Sequence, residues 1–344
     1  MDSSNSTRPD ISSQHLGPAV SIVTFILLVT STLALIARLS TKWAVSHRVN
    51  LDDLLLGIAL IFSIGNGIST FYEASNGLGS PTTSSSGAQL LVAQKASYAA
   101  ELFYIASLCF TKLSAVAFLY MLTPISSNEI LCISYGIFTI VWTLTTFASS
   151  ALQCSAPKVW LIFGNKCFNQ QAFWTTYLVI EMILNFLLVV YPIYMLWNLH
   201  VRRAQKIAVW CCFAFRVFVV AALIVQLALY RHAYESSDFL FKSWGAVTAS
   251  EIVLCLSYVA PCLPYLRPFL ESLDSGMLRN DGIRRLGHGE AESKASGSKG
   301  SGSSYGLQPV SNSAEKKSPP STTVGLGPEV ATLWTEGWQV RGQH

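Results

Sequence analysis

Long apolar stretches alternate with short polar breaks through most of this chain. A membrane-spanning helix needs roughly 20 mostly apolar residues. Seven stretches are long enough: 16–37, 52–72, 96–121, 130–151, 172–197, 207–229 and 243–265. Few gaps between them exceed about 20 residues, which leaves no room for a soluble domain of typical size. The pattern predicts an all-α membrane protein, a seven-transmembrane-helix bundle over residues 16–267. Residues 1–15 form a short polar N-terminal segment with no basic region ahead of an apolar core. The first apolar run therefore reads as an anchor rather than a cleaved signal peptide.

Composition sharpens this. Only 12% of the 344 residues are charged, against about a quarter in a soluble domain. Basic residues near the spans set orientation. With the N-terminus outside, the inner side holds Arg38, Lys42, Arg48, Arg202, Arg203, Lys206, Arg267, Arg279, Arg284 and Arg285. The outer side holds Arg8, Lys95, Lys158, Lys166, Arg231 and Lys242. Ten against six predicts the N-terminus outside and the C-terminus in the cytosol. Asn5-Ser6-Thr7 is a glycosylation sequon, usable only in that orientation. The net charge of +4 is mostly this topological charge and gives no nucleic-acid footprint.

Cys109, Cys132, Cys211, Cys212, Cys255 and Cys262 fall within apolar spans, where cysteine acts as a small apolar residue. Cys154 and Cys167 lie in the outer loop between spans 4 and 5. They are expected to bridge each other, the alternative being two unpaired thiols. There is no CxxC and the histidines are scattered, so no metal site is expected. After Arg267-Pro268, the residues Phe269, Leu270, Leu273 and Met277 share a helical face. Residues 268–286 read as an amphipathic surface helix or as ordinary polar tail. Residues 287–344 form a Gly/Ser/Lys-rich tail too poor in apolar residues to fold. Within that tail Val330, Leu333, Trp334 and Trp338 make an apolar stripe that is either a docking peptide or simply unstructured.

Ionisable groups inside a bilayer are expensive and face the bundle interior. Here they are Asp52, Asp53, Glu101, Lys112, Glu181, Arg216 and Glu251. Asp52 and Asp53 open span 2, where carboxylates offset the helix dipole. Lys112, in the inner half of span 3, is within reach of them, and such a contact would clasp spans 2 and 3 on the inner side. Arg216, placed near the middle of span 6, is expected to pair with Glu181 or Glu251. These groups either hold the bundle together or line a polar cavity for a ligand or protons. No Walker loop, GxSxG or HExxH occurs in a plausible context, and no enzyme or cofactor is expected. Span 7 contains no lysine, which excludes a retinal Schiff base there. Span 3 has no acidic-Arg-aromatic triplet and span 7 no NPxxY.

An ordered set of short motifs adds a resemblance. It comprises Asn50-Leu51-Asp52-Asp53, Gly77 and Gly79, Thr111-Lys112-Leu113-Ser114 and Leu122-Thr123-Pro124. It continues with Cys154 through Pro157, Trp160 and Gly164 to Cys167, then Phe215-Arg216, Trp244, Glu251 and the run Pro261 to Glu271. Over roughly residues 20–285 the chain resembles the fungal rhodopsin-like domain, the ascomycete seven-helix family that includes the satratoxin-cluster membrane proteins. The resemblance implies a fungal integral membrane protein, for which receptor-like sensing without retinal is the usual proposal. Relatives often carry an aspartate and then a proline in span 5, where this chain has Glu181, Asn185 and Pro192. A cysteine-rich outer domain is not expected ahead of span 1.

Three functions follow as expectations. One is a plasma-membrane sensor of a small-molecule ligand, bound near Glu101, Glu181 and Glu251 and signalling to a cytosolic partner through the tail. The second is a proton-coupled transporter. The third is an accessory membrane protein of a secondary-metabolite pathway.

Overall fold

The computed structural model describes residues 16–46, 50–80, 86–122, 126–155, 159–161, 167–197, 210, 213–236 and 239–264. Asn5, the segment 268–286, the tail 287–344 and its apolar stripe lie outside the described residues. Seven helices among the described residues are long and apolar enough to cross a membrane. They are α1 (Gly17–Ser46), α2 (Leu51–Ser75), α3 (Gly87–Leu122), α4 (Ser126–Ala151), α5 (Gln170–Trp197), α6 (Arg216–Tyr234) and α7 (Trp244–Val259). A 3-10 turn, Ala260–Cys262, extends α7, and a single turn of helix, Phe239–Lys242, precedes it.

The helices follow the apolar runs but overshoot two of them. At 1.5 Å per residue, the 36 residues of α3 reach about 54 Å, well beyond a hydrocarbon core of roughly 30 Å. The extra turns at 87–95 are rich in Ala, Leu and Gln, strong helix formers that need no membrane to stay helical. α1 continues past residue 37 to Ser46, because its polar residues Arg38, Thr41 and Lys42 are buried rather than looped out. In helix six the described element runs from Arg216 to Tyr234, with further helical residues at 210, 213 and 214.

Sequential helices pack as neighbours, α6 packs on α7, and α1 returns to α7, so the ring closes with α3 inside it. α3 is the central element: 67% of its apolar window is buried, against 22% for α1, α4 and α6. Phe25 and Leu33 on α1, Ile137 and Leu144 on α4 and Phe186 on α5 are exposed, whereas Arg38, Asp52, Lys112, Glu181 and Arg216 are buried. Charge inside and hydrocarbon outside inverts the soluble arrangement. It is the arrangement a bilayer imposes.

The turn after α2 depends on glycine. Gly77 and Gly79 have φ of 123° and 73°, values that side chains with a Cβ rarely adopt. The turn buries Leu78 and lets Leu16 N–H donate to the Gly79 carbonyl at 3.3 Å. At the first residue of α1 the chains come closer still. A Cβ on Gly17 would sit 2.6 Å from the Ala74 carbonyl oxygen, a backbone atom that cannot move aside cheaply. Gly17→Val is expected to cost about 1–3 kcal/mol, read as a lowered midpoint in thermal unfolding of the detergent-purified protein. An unchanged midpoint would show that α1 and α2 separate freely at this end.

Candidate functional site

Among the described residues, two ion-pair systems and a cavity gather most of the buried ionisable groups of the bundle. The first system joins α1 to α2. Arg38 and Lys42 are one helical turn apart and share a face. They meet Asp52 and Asp53 in the first turn of α2. Arg38 Nε donates to Asp53 Oδ1 at 2.9 Å, and its Nη2 pairs with Asp52 Oδ2. Lys42 Nζ lies 3.0 Å from Asp52 Oδ1 and 2.5 Å from Asp53 Oδ2. Two cations and two carboxylates make a neutral quartet with Arg38 and Asp52 fully buried. Arg38 Nη1 also donates to the Pro261 carbonyl at 2.5 Å, which brings in the end of α7. Ser114 Oγ donates to the Asp52 carbonyl at 2.7 Å, which brings in α3. Asp53 further accepts from the Asn50 backbone N–H at 3.1 Å, capping α2.

This corrects the expected partner of Asp52 and Asp53. They are neutralised from α1, and Lys112 points elsewhere, to Glu181 of α5, at 2.8 Å to Oε1 and 2.6 Å to Oε2. α3 presents Lys112 to α5, while α1, on the other side of α2 in the chain, covers the aspartates. The pairing of Arg216 is also corrected. Arg216 Nη1 donates to Asn185 Oδ1 at 3.1 Å, and its Nη2 finds no hydrogen-bond partner among the described residues. Asn185 Nδ2 in turn donates to the Glu181 carbonyl at 2.9 Å. The second system therefore runs Lys112–Glu181–Asn185–Arg216 across α3, α5 and α6.

Glu251 of α7 accepts at Oε1 from Asn66 Nδ2 at 2.7 Å and Thr70 Oγ1 at 2.9 Å, both on α2. Beyond it, toward the end where Cys154 and Cys167 are joined by a disulfide, lies a cavity of about 120 Å³. Its wall takes residues from α2, α3, α5, α6 and α7. Glu73 and Glu101 line it, together with Gln94, Gln170, Gln226 and the rings of Tyr104, Trp174 and Tyr230. The rings belong to one aromatic array: Trp174 stands 5.5 Å from Tyr177 and 6.4 Å from Tyr230, and Tyr104 is 6.4 Å from Tyr177. Tyr104 OH donates to Gln226 Oε1 at 2.9 Å and fixes one wall. Several polar atoms here lack a hydrogen-bond partner among the described residues: Gln94 Oε1, Glu101 Oε2 and Gln170 Nε2. Buried polar groups are nearly always satisfied, so these residues hold unused hydrogen-bonding capacity beside the cavity.

Of the residues singled out by sequence, Glu101 lines this cavity and Glu251 sits at its edge through Asn66 and Thr70, while Glu181 is held by Lys112. Asp52, Asp53, Lys112 and Arg216 belong to the ion-pair systems. Sequence reasoning missed Glu73, Arg38 and Lys42. Glu73 lies one residue past the assigned end of span 2, yet it is 4% exposed on α2. Hydropathy places Arg38 and Lys42 in a loop, although their spacing of four puts them on one face of a continuing helix.

The bundle, its lipid-facing apolar belt and its buried charges define a multi-pass membrane protein of the seven-helix class. The model of the fungal rhodopsin domain matches residues 37–272, and the chain belongs to that family. No curated protein matches the chain. No lysine occurs within α7, so a retinal Schiff base has no attachment point on that helix.

Removing one partner of a buried ion pair costs more than replacing the whole pair, because a charge is stranded in the low-dielectric interior. Arg38→Met is expected to destabilise by about 3–5 kcal/mol, measured as a loss of folded, monodisperse protein and a lowered unfolding midpoint. Lys112→Met alone is expected to lower the midpoint more than the double variant Lys112→Met/Glu181→Leu. The reverse order would mean that Glu181 is not left as a stranded charge when Lys112 is removed.

Proposed function

We propose that this protein is a receptor-like sensor of the fungal plasma membrane, without enzymatic activity, whose small-molecule ligand occupies the cavity beside Glu73 and Glu101. The polar lining of that cavity carries the reading: Glu73, Gln94, Glu101 and Gln170 come from three helices to one space, and Gln94, Glu101 and Gln170 each hold a buried hydrogen-bonding atom with no partner among the described residues. The opposite end of the bundle supports a sensor over a carrier. There the α1–α2 quartet and its bonds to Pro261 and Ser114 tie four elements together, which disfavours alternate opening. In this reading the disulfide end faces outward, and the polar tail after residue 287 meets a signalling partner in the cytosol. A ligand that draws α2, α3, α6 and α7 together would change the spacing of the helix ends that meet that partner.

Filling the cavity should silence the sensor. Ala246 on α7 lines the cavity and is 8% exposed. A strain carrying Ala246→Phe, with protein amount and membrane insertion verified, is expected to reproduce the transcriptional profile of the gene deletion. A profile matching the unaltered strain would overturn the cavity as the sensing site.

A further inference from the structure

We propose that the cavity takes a small organic cation, a primary amine of about six to eight non-hydrogen atoms, with its ammonium group held by Glu73 and Glu101. This rests on the cavity being the ligand site.

Charge balance is the first ground. Glu73 and Glu101 line the same space and lie within electrostatic reach of each other, and Glu73 also within reach of Glu251. The described lining holds no lysine, arginine or histidine. The buried cations among the described residues lie elsewhere: Arg38 and Lys42 in the α1–α2 quartet, Lys112 on Glu181, and Arg216 on Asn185. Lys95, the basic residue nearest in sequence to the cavity residues of α3, lies over the Trp160 ring at 5.2 Å. Carboxylates in a low-dielectric site without a counter-charge are costly, and a bound monocation supplies that charge.

The second ground is independent of charge. Gln94 is 5% exposed and Gln170 is 9% exposed, and both line the cavity with an unpartnered amide atom. Gln94 Oε1 adds a third acceptor for an ammonium group, which has three N–H donors to place. Gln170 Nε2 supplies a donor for an oxygen or a ring face at the ligand's other end. Tyr104, Trp174 and Tyr230 offer aromatic faces that attract a cation. An apolar cavity of roughly 150 Å³ accepts benzene, so about 120 Å³ suits a molecule of that scale and excludes large ligands unless the helices part.

The test uses the full-length protein in lipid nanodiscs, with unfolding midpoints recorded against benzylamine, benzyl alcohol and benzoate. These probes share a ring and differ in charge. Benzylamine is expected to raise the midpoint saturably, as a ligand that binds only the folded state must, while the other two do not. Glu101→Gln and, separately, Glu73→Gln are expected to weaken benzylamine by roughly tenfold or more, each judged only if its own unliganded midpoint shows a folded protein. Equal stabilisation by benzyl alcohol, or preference for benzoate, would overturn the cation while leaving a ligand site. If none of the three raises the midpoint, and benzylamine also fails to slow thiol-reagent labelling of the Ala246→Cys variant, the cavity itself is not a ligand site.

Discussion

The bundle depends on a solution to one problem, four full charges buried between two helices. Placing Arg38, Lys42, Asp52 and Asp53 away from water would be prohibitive singly. Together they are neutral and hydrogen-bonded to one another. The quartet sets the rotation of α1 against α2, because only one rotation brings both cations over both carboxylates. Its further bonds to Pro261 and Ser114 carry that constraint to α7 and α3. With four elements positioned at one end, the remaining helices have little choice of place.

The opposite end is built on a different principle. Where the quartet matches each charge with its opposite, the cavity gathers Glu73 and Glu101 with amides and tyrosines and places no basic side chain among them. Glu251 marks the transition, with one oxygen accepting from Asn66 and Thr70. The second ion-pair system, from Lys112 to Arg216, separates the two ends and braces α3 against α5 and α6. The bundle is closed by paired charge at one end and holds its polar cavity at the other. In the proposed sensor, the charge-paired end would be the fixed reference for movements at the cavity end.

Much of the fold was legible in sequence because a bilayer imposes a one-dimensional rule. Length and apolarity alone identify a spanning helix, since every backbone polar group must be satisfied within the segment. That rule located seven spans. It misplaced the end of α1, because Arg38 and Lys42 look like loop residues to a hydropathy count. They stay in the helix only because aspartates from α2 neutralise them. Glu73 was passed over for the same reason: a carboxylate at the margin of an apolar run reads as an exit from the membrane, and only the packing of α2 against α3 and α7 shows it buried.

Partner choice was not legible at all. Lys112 has the right depth for either aspartate or for Glu181, and Arg216 for either of two glutamates, and sequence spacing treats these options alike. What the chain by itself determined was its class, its family and the set of charges that must find partners inside the bundle. Which charge meets which, and that Glu73 and Glu101 converge on one unfilled space, only the tertiary structure decided. The physical reason is that pairing depends on the rotation and adjacency of helices, and those are set by contacts between segments far apart in the chain.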